Sequence, residues 1–185
     1  MRAARPPTEE RLIKSALHYL DRYGSSVENL RRVLARKVRR AAEALDLDPC
    51  DYDDIIDRVV ERCRASGLVD DAAFAESKIA SERRKGRSAR RIGMTLAAKG
   101  IDRDLAGDML SREGEAEELR AAMTAARKRR LGPWRSGEAD HERIGREIAV
   151  LARQGFTLVL ARRIVEADSI EALQQRLDDS SFDQF

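Results

Sequence analysis

Three pairs of side chains in this 185-residue chain could do chemistry: the carboxylates Asp70 and Asp71, the histidines His18 and His141, and the thiols Cys50 and Cys63. Paired carboxylates can act as general acid and base, and His or Cys can act as nucleophile or metal ligand. Asp70 and Asp71, however, precede an apolar stretch, where Asp commonly caps a helix, and we interpret them as a cap. The histidines and cysteines have no partner residues at catalytic or metal-binding spacing, and no Gly-rich phosphate loop occurs. We therefore predict a protein that is not an enzyme, has no cofactor and binds no metal.

Basic residues form acid-free runs that the net charge of +3 conceals. Such blocks usually mark a surface that meets a charged partner, although a solvated helix face gives the same pattern. Our main candidates for binding acidic protein surface or DNA phosphates are Arg83, Arg84, Lys85, Arg87, Arg90, Arg91, Arg127, Lys128, Arg129 and Arg130. Weaker candidates are Arg36, Lys37, Arg39, Arg40 and Arg153.

The run at 83–91 gives the sharpest expectation. Two of its arginines follow Ser88 near a helix N-terminus, where the helix dipole disfavours cations, and this indicates a partner. We expect all six basic side chains to be exposed on one surface, with no acid inside the run to neutralise them. For residues 31–40, Val33, Leu34 and Val38 face inward, so the cations between them fit a binding surface or a solvated face equally well.

The elements that must position these residues are helices. Aromatics make up only 4% of the chain while Ala, Leu, Arg and Glu abound, which favours helix over strand. Apolar residues recur at helical spacing and predict nine helices, the first capped by Thr8. Ser25 with Glu28 has capping-box spacing for the second, and Asp51 is the expected cap of the third. Residues 131–137 form the clearest loop, where Trp134 is either an interface residue or a plug for the loop.

A repeated motif divides these helices into groups of three. Leu-Ala-Arg-Lys at 34–37, Leu-Ala-Ala-Lys at 96–99 and Leu-Ala-Arg-Gln at 151–154 occupy the second helix of each group. We predict an all-α, elongated array of three-helix modules at 1–69, 70–112 and 113–168. Residues 1–7 are expected to be disordered, and 169–185 to be an acidic tail that is a short helix or disordered. With no long apolar run and no signal peptide, we expect a cytoplasmic monomer that does not contact membranes.

The chain resembles the RecX family of RecA regulators. The resemblance lies in Tyr19-Leu20-x-Arg22, Ser25-Ser26-x-Glu28-x-Leu30, the stretch 67–75, Arg83-x3-Arg87-x2-Arg90-Arg91-Ile92, Leu96-x2-Lys99-Gly100-Ile101 and Leu151-x-Arg153-Gln154-Gly155-Phe156. Their order and spacing are specific, although no single piece is. Two departures from the family pattern concern residues 38–54, where the helices are longer, and the larger loop around Trp134.

The resemblance implies a three-module helical protein that lies in the groove of the RecA–DNA filament. There it would inhibit RecA's ATPase, strand-exchange and coprotease activities, and so modulate recombination, DNA repair and the SOS response. The alternative is a basic helical protein that acts directly on single- or double-stranded DNA, through a helix-turn-helix in one module. In such a DNA-binding protein the basic residues are expected on one module, whereas in this sequence they are distributed over three.

Overall fold

The computed structural model describes residues 5–182 and confirms the all-α fold for them. Its helices are α1 (Glu9–Leu20), α2 (Val27–Glu43), α3 (Asp53–Ala65), α4 (Asp71–Arg84), α5 (Ala89–Ala98), α6 (Arg103–Arg112), α7 (Gly114–Arg129), α8 (His141–Arg153), α9 (Leu158–Val165) and α10 (Ile170–Phe182). Short 3-10 helices cover Pro49–Tyr52 and Gly132–Trp134. None of the helices is long and apolar enough to cross a membrane within the described range.

The chain forms two compact units. The first comprises the residues up to Ala75 together with Ala98–Ile101, and the second comprises Glu76–Ala97 and everything from Asp102 onward. Part of the expected disorder at 1–7 and Asp183 of the acidic tail lie outside the described residues. Residues 184 and 185 also lie outside the described range, and Ile170–Phe182 form α10, the tenth α-helix among the described residues where nine were predicted.

The core of the first unit comes from the apolar faces of α1, α2 and α3. Leu12, Leu30, Leu34, Val59 and Val60 are among its buried side chains. In the second unit, α7, α8, α9 and α10 enclose a core rich in alanine, so these helices approach closely. Trp134 is half-buried and packs against this second core.

Most predicted caps are confirmed, and two are wrong. Thr8 and Thr157 accept backbone N–H groups at the starts of α1 and α9. The cap of α2 is Ser26, not Ser25, because Ser26 has the extended backbone that lets its Oγ accept from Asn29 N at 3.1 Å. Asp51 lies inside the Pro49–Tyr52 turn, and the cap of that turn is Asp48, whose carboxylate accepts from Cys50 N.

The paired carboxylates are structural. Asp70 Oδ1 accepts from Ala72 N and Ala73 N at 2.8 and 3.0 Å, which is the predicted cap of α4. Asp71 Oδ1 reaches a different helix and accepts from Val27 N, the first N–H of α2, at 2.8 Å. One residue of the pair therefore caps its own helix, and the other satisfies a free donor at the start of α2.

We expect Asp71→Ala to lower the free energy of unfolding by about 1 kcal/mol, because it leaves the half-buried N–H of Val27 without its acceptor. Urea titration followed by circular dichroism measures the change. Asp71→Asn retains an oxygen acceptor and is the matched control. A loss in the asparagine variant as large as in the alanine variant would contradict this role.

The repeated Leu-Ala motif ends at equivalent hydrogen bonds. Ser26 donates its hydroxyl to the carbonyl of Lys99 while capping α2. Ser88 donates to the carbonyl of Gln154 at 2.7 Å while capping α5 through Arg91 N. In each case the serine that caps one helix donates its hydroxyl to the last carbonyl of a Leu-Ala motif. The two motifs are therefore similar in their contacts as well as in sequence.

Candidate basic binding surface

The run at 83–91 wraps around the turn between α4 and α5, and a glycine places this turn against α7. Gly86 has φ +77°, and a Cβ atom there would lie 2.9 Å from Ala125 N and 3.0 Å from Ala121 O. Both the left-handed backbone and the close approach require glycine. The cations flanking Gly86 are thereby held beside the α7 helix.

Arg83 is not exposed, contrary to the sequence prediction. Its side chain is buried, and it forms ion pairs with Glu113 at 2.8 Å and Glu118 at 2.5 Å. Its Nη1 also donates to the carbonyl of Arg87 at 3.1 Å, across the turn. Burial alone would lower the pKa of Arg83, but the hydrogen bonds and charges of the two glutamates outweigh it and raise the pKa. Arg83 therefore belongs to the scaffold of the surface rather than to its exposed face.

Two further members of the run are paired with an acid just outside it. Glu82 accepts from Lys85 Nζ at 2.8 Å and lies 3.8 Å from Arg87 Nε. The hydrogen bond from Lys85 is the main cause that lowers the pKa of Glu82, with the charges of Lys85 and Lys78 adding to it against the effect of burial. The expectation of an unneutralised run is thus wrong for these residues as well as for Arg83. Within residues 5–179, Arg84, Arg90 and Arg91 are exposed and form no ion pair.

The cluster at 127–130 lies next to this turn. It occupies the last turn of α7 and the residue after it, and all four side chains are exposed. Lys128 Nζ donates to the carbonyl of Lys85 at 3.1 Å. The two runs, which are more than thirty residues apart in sequence, therefore meet in the second unit, and we call Arg84, Lys85, Arg87, Arg90, Arg91 and residues 127–130 its basic surface.

Arg153 is positioned near the same turn. It is the last residue of α8, and the carbonyl of the next residue, Gln154, accepts from Ser88 at 2.7 Å. A Cβ on Gly155 would lie 2.6 Å from Ser88 Oγ and 3.4 Å from Arg90 Cβ. The end of α8 thus meets the start of α5. Arg135, close to the 127–130 cluster in sequence, is instead paired with the buried Glu147 at 3.0 Å.

The remaining candidates lie in the first unit. Arg36, Lys37, Arg39 and Arg40 are exposed on α2, and Lys37 Nζ donates to Ser15 Oγ of α1 at 2.5 Å. Of these, Arg36, Lys37 and Arg40 line a cleft together with Tyr19, Arg22 and Tyr23, three residues that were not among the predicted site residues, whereas Arg39 does not line it. Helical spacing could have indicated them, since residues 15 and 19 lie on one face of α1 and Arg22 follows shortly after its end.

Comparisons with known proteins agree on one family. A family model described as "RecX, second three-helix domain" matches residues 70–110. A "Regulatory protein RecX" of Myxococcus xanthus (strain DK1622) is 34% identical over 159 residues, covering 85% of each chain. A second, from Agrobacterium fabrum, is 32% identical over 158 residues and covers 85% of this chain and 83% of the relative.

A third protein of that name, from Mycobacterium ulcerans, is 37% identical over 147 residues and covers 75% of this chain and 81% of the relative. Among solved structures, the crystal structure of RecX from Lactobacillus salivarius has a TM-score of 0.64. It covers 92% of this chain and 96% of that one at 21% identity, a level at which the likeness concerns the fold.

Proposed function

The chain belongs to the RecX family of regulatory proteins, and from this membership we propose that it regulates RecA by binding the RecA nucleoprotein filament. Bound there, it inhibits the filament's ATPase, strand-exchange and coprotease activities and so modulates recombination and DNA repair. It acts by binding rather than by catalysis. The use of Asp70 and Asp71 as backbone acceptors supports this, because it gives both carboxylates a structural role.

The basic surface of the second unit is the main support for filament binding. Arg84, Arg90 and Arg91 are exposed and without ion pairs among the described residues, so their charges are available to a partner. A nucleoprotein filament presents phosphates and carboxylates along its length, and guanidinium groups bind both with bidentate geometry. The surface is also preorganised, because the buried Arg83 ion pairs and the Gly86 contact fix its turn before binding.

The division into three modules remains part of this proposal. The match of residues 70–110 to a second three-helix domain supports it, as do the equivalent serine–carbonyl bonds at Ser26 and Ser88. A protein built from several modules can present several binding surfaces, and a filament of repeated subunits can present several matching sites.

We expect the protein, added well below the RecA concentration, to suppress RecA's single-stranded-DNA-dependent ATP hydrolysis. The protein alone should hydrolyse no ATP. Release of phosphate is measured with the wild-type chain over a range of concentrations. Unchanged RecA turnover at equimolar protein would overturn the proposed function.

Direct action on DNA stays the alternative. In the sequence, the basic residues are distributed over all three predicted modules, and this distribution argued against a single DNA-binding surface. Because the runs at 83–91 and 127–130 meet in one unit, that spread no longer separates the two functions. Suppression of strand exchange by DNA masking would diminish when DNA is added in excess, whereas inhibition through RecA would persist.

A further inference from the structure

A cleft on the first unit combines two tyrosine rings with exposed cations. It has a volume of about 570 Å³ and lies between α1 and α2. This volume is within the range of small-molecule sites, about 300–1,000 Å³. The side chains that line it include Tyr19, Arg22, Tyr23, Arg36, Lys37 and Arg40. In the described part of the chain, no Asp or Glu lines the cleft.

The two tyrosines form a platform at one end of the cleft. Their ring centroids are 5.3 Å apart with planes tilted by 37°. Tyr19 is half-buried, and its hydroxyl accepts from Asn29 Nδ2 at 3.0 Å, which fixes the ring. Tyr23 follows α1 and is 58% exposed, so its ring can accept a flat partner without rearrangement of the core.

The cations along the cleft are not neutralised. Arg22, Arg36 and Arg40 are exposed, and no ion pair or hydrogen bond of their side chains occurs within residues 5–179. Their neighbours on α2 differ, because Arg31 pairs with Glu28 and Asp57, and Arg32 pairs with Glu28 at 2.8 Å. Arg36 and Arg40 of α2 are therefore unpaired and line the cleft with the tyrosines, while paired cations occupy the start of the helix.

We propose that this cleft binds single-stranded nucleic acid, with a base stacked on Tyr23 and the adjoining phosphates held by Arg22, Arg36 and Arg40. Proteins that bind single strands combine a basic groove with aromatic rings on which bases stack. A duplex keeps its bases stacked on one another, so it cannot offer a free base face to Tyr23. An acidic polypeptide would use the cations but has no need of the ring. This binding requires no RecA and is separate from the proposed function.

The test measures the affinity of the full chain for a fluorescently labelled oligothymidylate of about 15 nucleotides by anisotropy, with RecA absent. Tyr23→Ala is expected to weaken binding about tenfold, and Tyr23→Phe to retain it, because stacking needs the ring and not the hydroxyl. Arg36→Glu with Arg40→Glu is expected to weaken binding more than about tenfold and to reduce its salt dependence.

The matched control is Arg62→Glu with Arg103→Glu, which makes the same change in net charge at exposed cations that do not line the cleft and are not binding candidates. It should weaken binding less than about threefold, because distant exposed charges are screened. Circular dichroism melts accompany each variant. Should charge reversal unfold the chain, Arg36→Gln with Arg40→Gln replaces it, with an expected loss of about fivefold.

Three results would overturn the proposal. The first is undiminished affinity in Tyr23→Ala, which would remove the stacking role. The second is an equal loss in the control pair, which would reduce the binding to net charge. The third is displacement of the probe by polyglutamate, or by a duplex of the same length, as effectively as by unlabelled oligothymidylate. Because each measurement omits RecA, loss of this proposal would leave the expected inhibition of the RecA ATPase unaffected. Failure of the ATPase prediction would likewise leave this proposal unaffected.

Discussion

Arg83→Met is expected to lower the free energy of unfolding by about 3 kcal/mol, the lower end of the range for breaking a buried ion pair. Methionine keeps the aliphatic length but leaves Glu113 and Glu118 without their cation. The two glutamates are 20% and 24% exposed, so partial hydration limits the loss. Urea unfolding followed by circular dichroism gives the value.

Arg84→Met is the matched control for this prediction. Arg84 is the next residue along α4, has the same side chain and is exposed, so its replacement should change stability by less than about 0.5 kcal/mol. Equal effects at the two positions would contradict a structural role for Arg83. A large loss confined to Arg83 would mean that Arg83 variants are unsuitable for testing filament binding, because they alter the fold.

The second large effect concerns inhibition of RecA. Arg91→Glu with Arg129→Glu is expected to raise the concentration needed for half-inhibition of the RecA ATPase about tenfold. Arg91 lies in the first turn of α5 and Arg129 ends α7, so the pair samples both runs of the basic surface. Each exposed charge reversal removes an attraction and adds a repulsion. The remaining inhibition should depend less on salt.

The control for this variant is Arg103→Glu with Arg112→Glu. These residues are the first and last of α6, are exposed, and belong to the same unit. The net charge and the helix-end positions are thus matched, and inhibition should stay close to that of the wild type. Comparable losses in both pairs would show that net charge, and not this surface, determines inhibition.

The helical class and most helix starts could be predicted because they depend on neighbouring residues. The caps Thr8, Asp70 and Thr157 each bond to N–H groups within three positions. The one-residue error at Ser25 arose because two adjacent serines have equal propensity, and the backbone angle at Ser26 decides between them. Ser26 also donates to the carbonyl of Lys99, a long-range contact that neighbouring residues do not reveal.

The burial of Arg83 was missed because its partners lie 30 and 35 residues away. A local signal was nevertheless present. Ala75, Ile79 and Arg83 are spaced by four residues, and all three are buried on one stripe of α4. Arginine on such a stripe predicts an internal ion pair rather than a binding residue. By contrast, no local signal could predict the hydrogen bond from Lys128 to the carbonyl of Lys85, since that contact depends on how α7 packs.

The serine–carbonyl bonds have a consequence for the order in which the protein matures during synthesis. Ser26 donates to a carbonyl 73 residues later, and Ser88 to one 66 residues later. A ribosome adds about 5–20 residues per second, so the hydroxyl of Ser26 waits about 4–15 seconds for Lys99 to be made. Over that interval Ser26 caps α2 without an acceptor for its own hydroxyl at the end of α5, and the first unit reaches its final hydrogen bonding only after α5 and Lys99 have left the exit tunnel.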